Sequence, residues 1–431
     1  MKKIEKELEE YFDRLWPINR SLTGKGNRES LKIIKEIVAL NISEIPSGTK
    51  CFDWTVPPEW NVEGAWIKDS SGNKIIDFEV SNLHLLGYSE PFQGKLSLAE
   101  LKKHLYSLPE QPTFIPYVTS YYKRRWGFCI AHNQLLQLKD EVYEVFIDSI
   151  LNDKGSMTIA DAIISGKSNK EILFTTYICH PSMANNELSG PLVSSFICQA
   201  LKKREGALKY TYRFVFVPET IGSIYYLSKY GDYLKENLIA GFVVTTVGDS
   251  GKFTYKRSRT GNSLTNRAVE TILSNSNKDY QVEDFFPMGS DERQYCSPGF
   301  NLPVGSLMRT RDGKYKEYHT SGDYKSFISF EAMEDTIEMY LKVVELIENN
   351  CKPINLLPDC EPQLGKRGLY PDISSAAEKT KNIEAIQWVL NYSDGLHDTI
   401  DIINKSKQRP SLIYSAIKSL NEAGLLRIEQ G

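Results

Sequence analysis

Between Glu171 and Asp249 the chain alternates between apolar runs and helical periodicity, and no other feature limits its fold as much. "EILFTTYIC" reads as a strand, "GPLVSSFICQALKK" as a helix, "YTYRFVFVP" as a strand, "IGSIYYLSKYGDYL" as a helix and "IAGFVVTT" as a strand. Apolar strands separated by helices belong to a mainly parallel sheet covered on both faces. A last helix, "FEAMEDTIEMYLKVVELIENN", completes this part, and the fold class expected is α/β.

The flanking segments have other characters. "IEKELEEYFDRLWPI" is an amphipathic helix stopped by Pro17, and "NRSLTGKGNRESLKIIKEIVAL" gives a Gly-rich turn and a second helix with Asn27 as a candidate cap. From Cys51, short strand-like runs, paired prolines and an "SGN" turn predict a β-rich module. A Pro-bearing connector follows residue 350, and a helical tail ends the chain. At 431 residues two or three domains are expected. A net charge of −3 offers no electrostatic argument for nucleic acid or an acidic membrane surface. No run approaches the roughly 18 apolar residues of a membrane span. The N-terminus alternates charges and lacks an apolar signal region. Seven scattered cysteines without a CxxC pair read as reduced thiols, not as a disulfide frame or a cysteine zinc site. A cytoplasmic location is expected.

Ligands of open parallel sheets gather outside the carboxyl ends of the strands. Here the first strand ends at His180, the second at Glu219 and the third at Asp249, and "YKEYHTSGDY" adds His319. Each has a bland reading. A lone histidine is usually hydrogen-bonded structure, Glu219 suits a helix N-terminus, and Asp249 in "GDSG" is a good turn residue. Convergence favours chemistry: imidazoles and carboxylates at one sheet edge are a zinc-type ligand set, with a spare carboxylate as general base.

The order of His180, "NNELSG", "PETIGS", Asp249 and "YHTSGD" resembles the dinuclear zinc aminopeptidases with an α/β sandwich. The phrases "RSLTGKGNRESL", "PYVTSYYKRRWGFC", "YICHPSMANNELSGP", "GSDERQY" and "SPGFNLPVGSLMRT" resemble, more closely and over nearly the whole chain, a bacterial group of aminopeptidase-like proteins associated with polysaccharide biosynthesis. The resemblance implies His180 and His319 as metal ligands, Asp249 as a further ligand and Glu219 as general base. Two positions depart from the pattern. The bridging aspartate falls on Asn186, with Glu187 beside it as a substitute, and the second glutamate of the "EExG" element is Thr220. Loss of two anionic ligands predicts one zinc ion, not two.

Asp291 and Arg293 in "MGSDERQY" are candidates for binding a substrate's ammonium or carboxylate, against the bland reading of solvated loop charges. The tail resembles a winged helix, but 381–431 carries six Lys/Arg and six Asp/Glu, so a protein-contact role is expected over DNA binding. The expected architecture is a zinc-aminopeptidase-like sandwich from 1–47 and 165–350, an inserted β-rich domain at 48–164, a connector at 351–379 and a winged helix at 380–431. The expected function is hydrolysis of an amide bond in a small peptide or amino-sugar conjugate, with no membrane or nucleic-acid partner and self-association through the inserted or winged-helix domain. The alternatives are a non-catalytic binding protein of the same fold and a winged-helix regulator.

Overall fold

Glu171–Tyr177 is buried at every residue, as a strand must be when neighbours flank it on both edges and helices cover both faces. The computed structural model describes residues 3–369 and 377–429 and resolves into two compact units, Met1–Thr265 with Asp279–Glu338, and 266–278 with 339–431.

The first unit is organised by an eight-stranded sheet. Its strands are β1 (Asn41–Pro46), β2 (Ser156–Ile164), β3 (Glu171–Tyr177), β4 (Thr211–Val217), β5 (Leu238–Val243), β6 (Phe253–Lys256), β7 (Tyr280–Glu283) and β8 (Val304–Met308), in spatial order β1-β2-β4-β3-β5-β8-β6-β7. The centre, β4-β3-β5-β8, is parallel, while β1, β2 and β6 pair antiparallel towards the edges. The sheet is therefore mixed around a parallel core. After the N-terminal helices α1 (Lys3–Leu15) and α2 (Lys25–Ile34), α3 (Ser189–Lys202) leads from β3 to β4 on one side, and α4 (Ile221–Asn237) leads back past β3 to β5 on the other. The carboxyl end of β3 is thus the switch point at which such sheets open a crevice. At the opposite end, Arg213 binds Glu171 through two hydrogen bonds of 2.6 and 2.9 Å and so ties the starts of β3 and β4 together.

The inserted module has its own four-stranded antiparallel sheet, with Glu59–Lys68 and Val142–Asn152 at its centre. Alternate residues Tyr143, Val145 and Ile147 are buried with Trp60, Ala65 and Ile67, the period-two pattern of a sheet with one covered face. Ser156–Ile164, read from sequence as part of this module, instead lies in the large sheet between β1 and β4. The excursion from that sheet accordingly runs from 47 to 155. A strand of this composition carries no mark of which sheet it will join.

In the second unit, helices Ala377–Tyr392, Thr399–Ser406 and Pro410–Glu422 bury Val389, Ile400, Ile403, Ile413 and Leu420. The closing strand Leu426–Glu429 pairs with Lys352–Asn355, so this fold begins inside the segment expected to be a connector. Part of that connector, 370–376, lies outside the described residues.

Gly190 lets α3 start against the strand ends. A Cβ there would meet the Val244 carbonyl oxygen at 2.4 Å and Thr176 Oγ1 at 2.5 Å. Gly190→Ala is expected to lower unfolding stability by about 1–3 kcal/mol, as overpacking does, in a denaturant titration.

Candidate metal centre

β3 continues past its last sheet residue, with the Ile178 amide bonded to Val217 O at 2.9 Å, and so carries Cys179 and His180 into the crevice, both buried. The chain then turns through Ser182, at φ +39°, into one wide helical turn, Ala184–Leu188, that runs into α3. That turn is held from below. Asp323 accepts the backbone amides of Asn185 and Asn186 at 2.7 and 2.8 Å. Burial pushes its carboxyl up to about 7 against those bonds.

One nitrogen of His180 is committed. Nδ1 lies 2.9 Å from Glu187 Oε2, and Glu187 Oε1 lies 3.5 Å from Nε of Arg20, with both side chains fully buried. Arg20 Nε also donates to the backbone oxygen of His180 at 3.0 Å, and Nη1 donates to Leu15 O at 2.6 Å. Burial works against a charged imidazole here, but contact with Cys179 and the Glu187 carboxylate outweighs it and raises His180 well above its ordinary value. Burial also pushes the Cys179 thiol up to about 11, so it stays protonated at neutral pH. Cys179, His180 and Glu187 lie close enough to hold an ion, yet Nδ1 is taken by the carboxylate and the sulfur accepts the Glu219 amide at 3.3 Å. They form a hydrogen-bonded support beneath the crevice.

The other nitrogen, Nε2, faces the crevice, 3.7 Å from Glu219 Oε2. The ring of His319 lies 5.4 Å from that of His180, stacked on Tyr318 at 4.0 Å. Its backbone is strained, at φ +54°, and its ring nitrogens make no hydrogen bond among the described residues. Burial, aided by His180, depresses His319 to about 3, which keeps it neutral. Tyr117, from the inserted module, places its ring 5.2 Å from His180 and 5.3 Å from His319, and its amide donates to His319 O at 2.8 Å. Asn186 donates through Nδ2 to Tyr177 OH at 2.8 Å, while its Oδ1 is buried with no partner among the described residues. Burial raises the Glu219 carboxyl, with His180 and Arg293 opposing.

Asp249 and Asp291 are engaged elsewhere, and Arg293 only in part. Both oxygens of Asp249 are occupied by Asn185 Nδ2 at 3.0 Å, Thr310 N at 3.0 Å, Thr310 Oγ1 at 2.6 Å and Gly251 N at 2.7 Å. Asp291 is buried and accepts the Thr220 amide at 2.8 Å and Ser223 Oγ at 2.7 Å, which caps α4. Arg293 donates from Nη2 to Thr220 Oγ1 at 3.1 Å. His180, Glu187, Glu219 and His319 thus come together, Asn186 joins them through Tyr177, and Asp249 and Asp291 hold the loops around them. Arg20, Tyr117 and Asp323 were not singled out from the sequence. Asp323 stands in the quoted "YHTSGD", but nothing local marks a carboxylate as an acceptor for amides 137 and 138 residues away.

Residues 9–350 match the family model described as a domain of unknown function, DUF4910. The chain belongs to that family. Residues 352–428 match a winged helix-turn-helix, in agreement with the second unit. This DUF4910 chain is 46% identical over 422 residues, 98% of its length and 96% of the relative's, to a Clostridium acetobutylicum protein named "putative polysaccharide biosynthesis protein with aminopeptidase-like domain". It is similar to a crystal structure of a "putative peptidase" from the same organism, with a TM-score of 0.93 at 45% identity over 99% of this chain and 96% of that one. A zinc aminopeptidase from Bacillus subtilis matches with a TM-score of 0.57 at 12% identity over 79% of this chain and 93% of that one, a likeness of fold. The α/β aminopeptidase-like fold and the terminal winged helix are as read from the sequence.

Burial also raises Asp291, to about 7. A carboxyl raised in the folded state favours folding below its unfolded pKa of about 4 and loses that contribution as pH rises through about 7. Asp291→Asn does not titrate; it can accept the Thr220 amide through Oδ1 and donate through Nδ2 to a Ser223 hydroxyl turned to accept. Its stability relative to wild type is expected to improve by about 2 kcal/mol between pH 5 and pH 8, measured by denaturant unfolding.

Proposed function

We propose that this chain is a zinc-dependent hydrolase of the aminopeptidase type, acting on an amide bond of a small peptide or amino-sugar conjugate. The observation that carries the reading is the 3.7 Å separation of His180 Nε2 from Glu219 Oε2, with the unpartnered His319 ring alongside. A carboxylate this near a candidate ligating nitrogen is placed to act as a base beside an ion that it is not needed to hold. The donor set suits zinc in kind: two imidazoles, one of them kept neutral by burial, and the orphaned Oδ1 of Asn186. A buried acceptor with no donor is costly, and a cation would satisfy it. With Asp249 fully hydrogen-bonded and threonine at position 220, the donors suffice for one ion, not two.

Zinc would supply Lewis acidity to a bound carbonyl. The chain's own residues do the rest. Glu187 accepts a hydrogen bond from Nδ1 of His180 and so leaves Nε2 as the nitrogen turned to the crevice, as carboxylates behind metal-binding histidines do. Glu219, raised by burial, is suited to take a proton from water and pass it to the leaving nitrogen. Tyr117 and Tyr318 wall the site from water. The fold shared with a zinc aminopeptidase and the relative named for polysaccharide biosynthesis agree with this reading. The same engagement of Asp249 favours, as a second reading, a binding protein that keeps the fold without turnover. No helix among the described residues is long and apolar enough to cross a membrane.

Elemental analysis of the purified protein should find about one zinc per chain, lost in His180→Ala. Glu219→Gln should retain the metal while turnover of aminoacyl substrates falls by about 10²–10⁴-fold. Absence of zinc after supplementation, or full activity of Glu219→Gln, would sink the hydrolase reading.

A further inference from the structure

Arg293 is a charged side chain at the crevice whose hydrogen-bonding capacity is largely unmet among the described residues. Its single hydrogen bond among the described residues runs from Nη2 to the Thr220 hydroxyl. Nε is shielded from solvent and has no acceptor, and Nη1 makes no hydrogen bond to the described residues. The acidic groups around it are spent elsewhere. Asp291 accepts from Thr220 and Ser223, and Glu292 is paired with the buried Lys256. No carboxylate among the described residues forms an ion pair with Arg293.

A shielded guanidinium donor without an acceptor costs free energy, and native proteins leave such groups chiefly where a ligand or water completes them. The shape of the unmet part matters too. The N–H of Nε and those of Nη1 are unclaimed on a planar, delocalised cation, a group whose hydrogen bonds to the oxygens of a carboxylate or phosphate are charge-assisted. Thr220, which orients the guanidinium, follows Glu219 directly and sits at φ +65°, a strained backbone that Asp291 fixes by accepting its amide. An anion on Arg293 would therefore lie near Glu219, the residue that precedes Thr220.

We propose that Arg293 receives an oxyanion of the ligand, a carboxylate or a phosphate, held next to the group that Glu219 acts on. The site thus selects anionic ligands over neutral ones. Only the placement next to a reacting group rests on the hydrolase reading; the anion site itself does not.

The test is calorimetric titration of the zinc-supplied full chain with alanyl-alanine, its C-terminal amide and inorganic phosphate. Wild type, Arg293→Gln and Arg293→Lys are compared, each also in the Glu219→Gln background so that turnover does not interfere. Thermal melts establish that each variant is folded, and Arg293→Lys, which keeps the charge, should retain part of the effect. Wild type is expected to bind the free carboxylate about tenfold or more tighter than the amide, and Arg293→Gln to bring that ratio to about one. Phosphate binding that is lost in Arg293→Gln, without discrimination between the two peptides, also supports the site and makes phosphate its source. Equal binding of anions by wild type and Arg293→Gln, or no binding of any anion at millimolar concentration, overturns the proposal. Arg293-dependent binding by a protein with no turnover would leave the anion site standing while the hydrolase reading falls. Turnover without anion dependence would do the reverse.

Discussion

The buried hydrogen bond between Glu187 and His180 organises the rest of the crevice. A carboxylate with no exposure is tolerable only when its charge is answered, and Arg20 answers it from the segment between the first two helices, at 3.5 Å. The same guanidinium holds the backbone oxygen of His180, so side chain and main chain of one residue are fixed by one partner 160 positions away. Removing Glu187 or Arg20 would leave the other's charge uncompensated in the interior. The orientation of Nε2 therefore comes from three elements folding together, and the N-terminal helices are part of the site's support although they contribute no atom to the crevice itself.

A second constraint follows from where the strands end. Four non-glycine residues near the crevice have positive φ: Ser182, Thr220, Thr246 and His319. Such backbones persist only where surroundings over-determine them. At Thr220 that surrounding is a carboxylate, and carboxylates hold the neighbouring loops as well. Asp323 takes the amides of Asn185 and Asn186, Asp291 takes that of Thr220, and Asp249 takes those of Gly251 and Thr310. Three acids at a sheet edge thus spend their oxygens on loop backbone, and that employment shapes the crevice as firmly as any ligand would.

This is also why the site was only partly legible in the sequence. His180 could be placed because an apolar run that stops at a histidine needs only the strand's own pattern. Glu219 followed by the same rule. The employment of Asp249 and Asp291 could not be read, since a strand-end aspartate looks the same whether it faces a cation or an amide delivered by a distant loop. Glu187 was read as a substitute ligand because it follows Asn186 in the chain. Its partnership with Nδ1 depends on the wide turn at Ala184–Leu188, which no local periodicity announces. Arg20 was silent for the plainest reason: a single arginine in a polar turn carries no sign that it will be buried. The large sheet was legible at its fully apolar centre and not at β2, an antiparallel strand of composition suited to either sheet.

The inserted module takes part in building this crevice. Its segment around Tyr117 exchanges hydrogen bonds with the loop carrying His319: Ile115 N to Ser321 Oγ at 2.9 Å, Ser321 N to Ile115 O at 2.8 Å and Tyr117 N to His319 O at 2.8 Å. The strained backbone of His319 is therefore held by the insert as well as by its own loop. A crevice built this way has one wall, Tyr117, that the α/β sheet does not supply, and it stands within ring contact of both histidines. The shape of the crevice is consequently set by the packing of the insert on the His319 loop, and the sheet's contribution is to bring His180 and Glu219 to the same place.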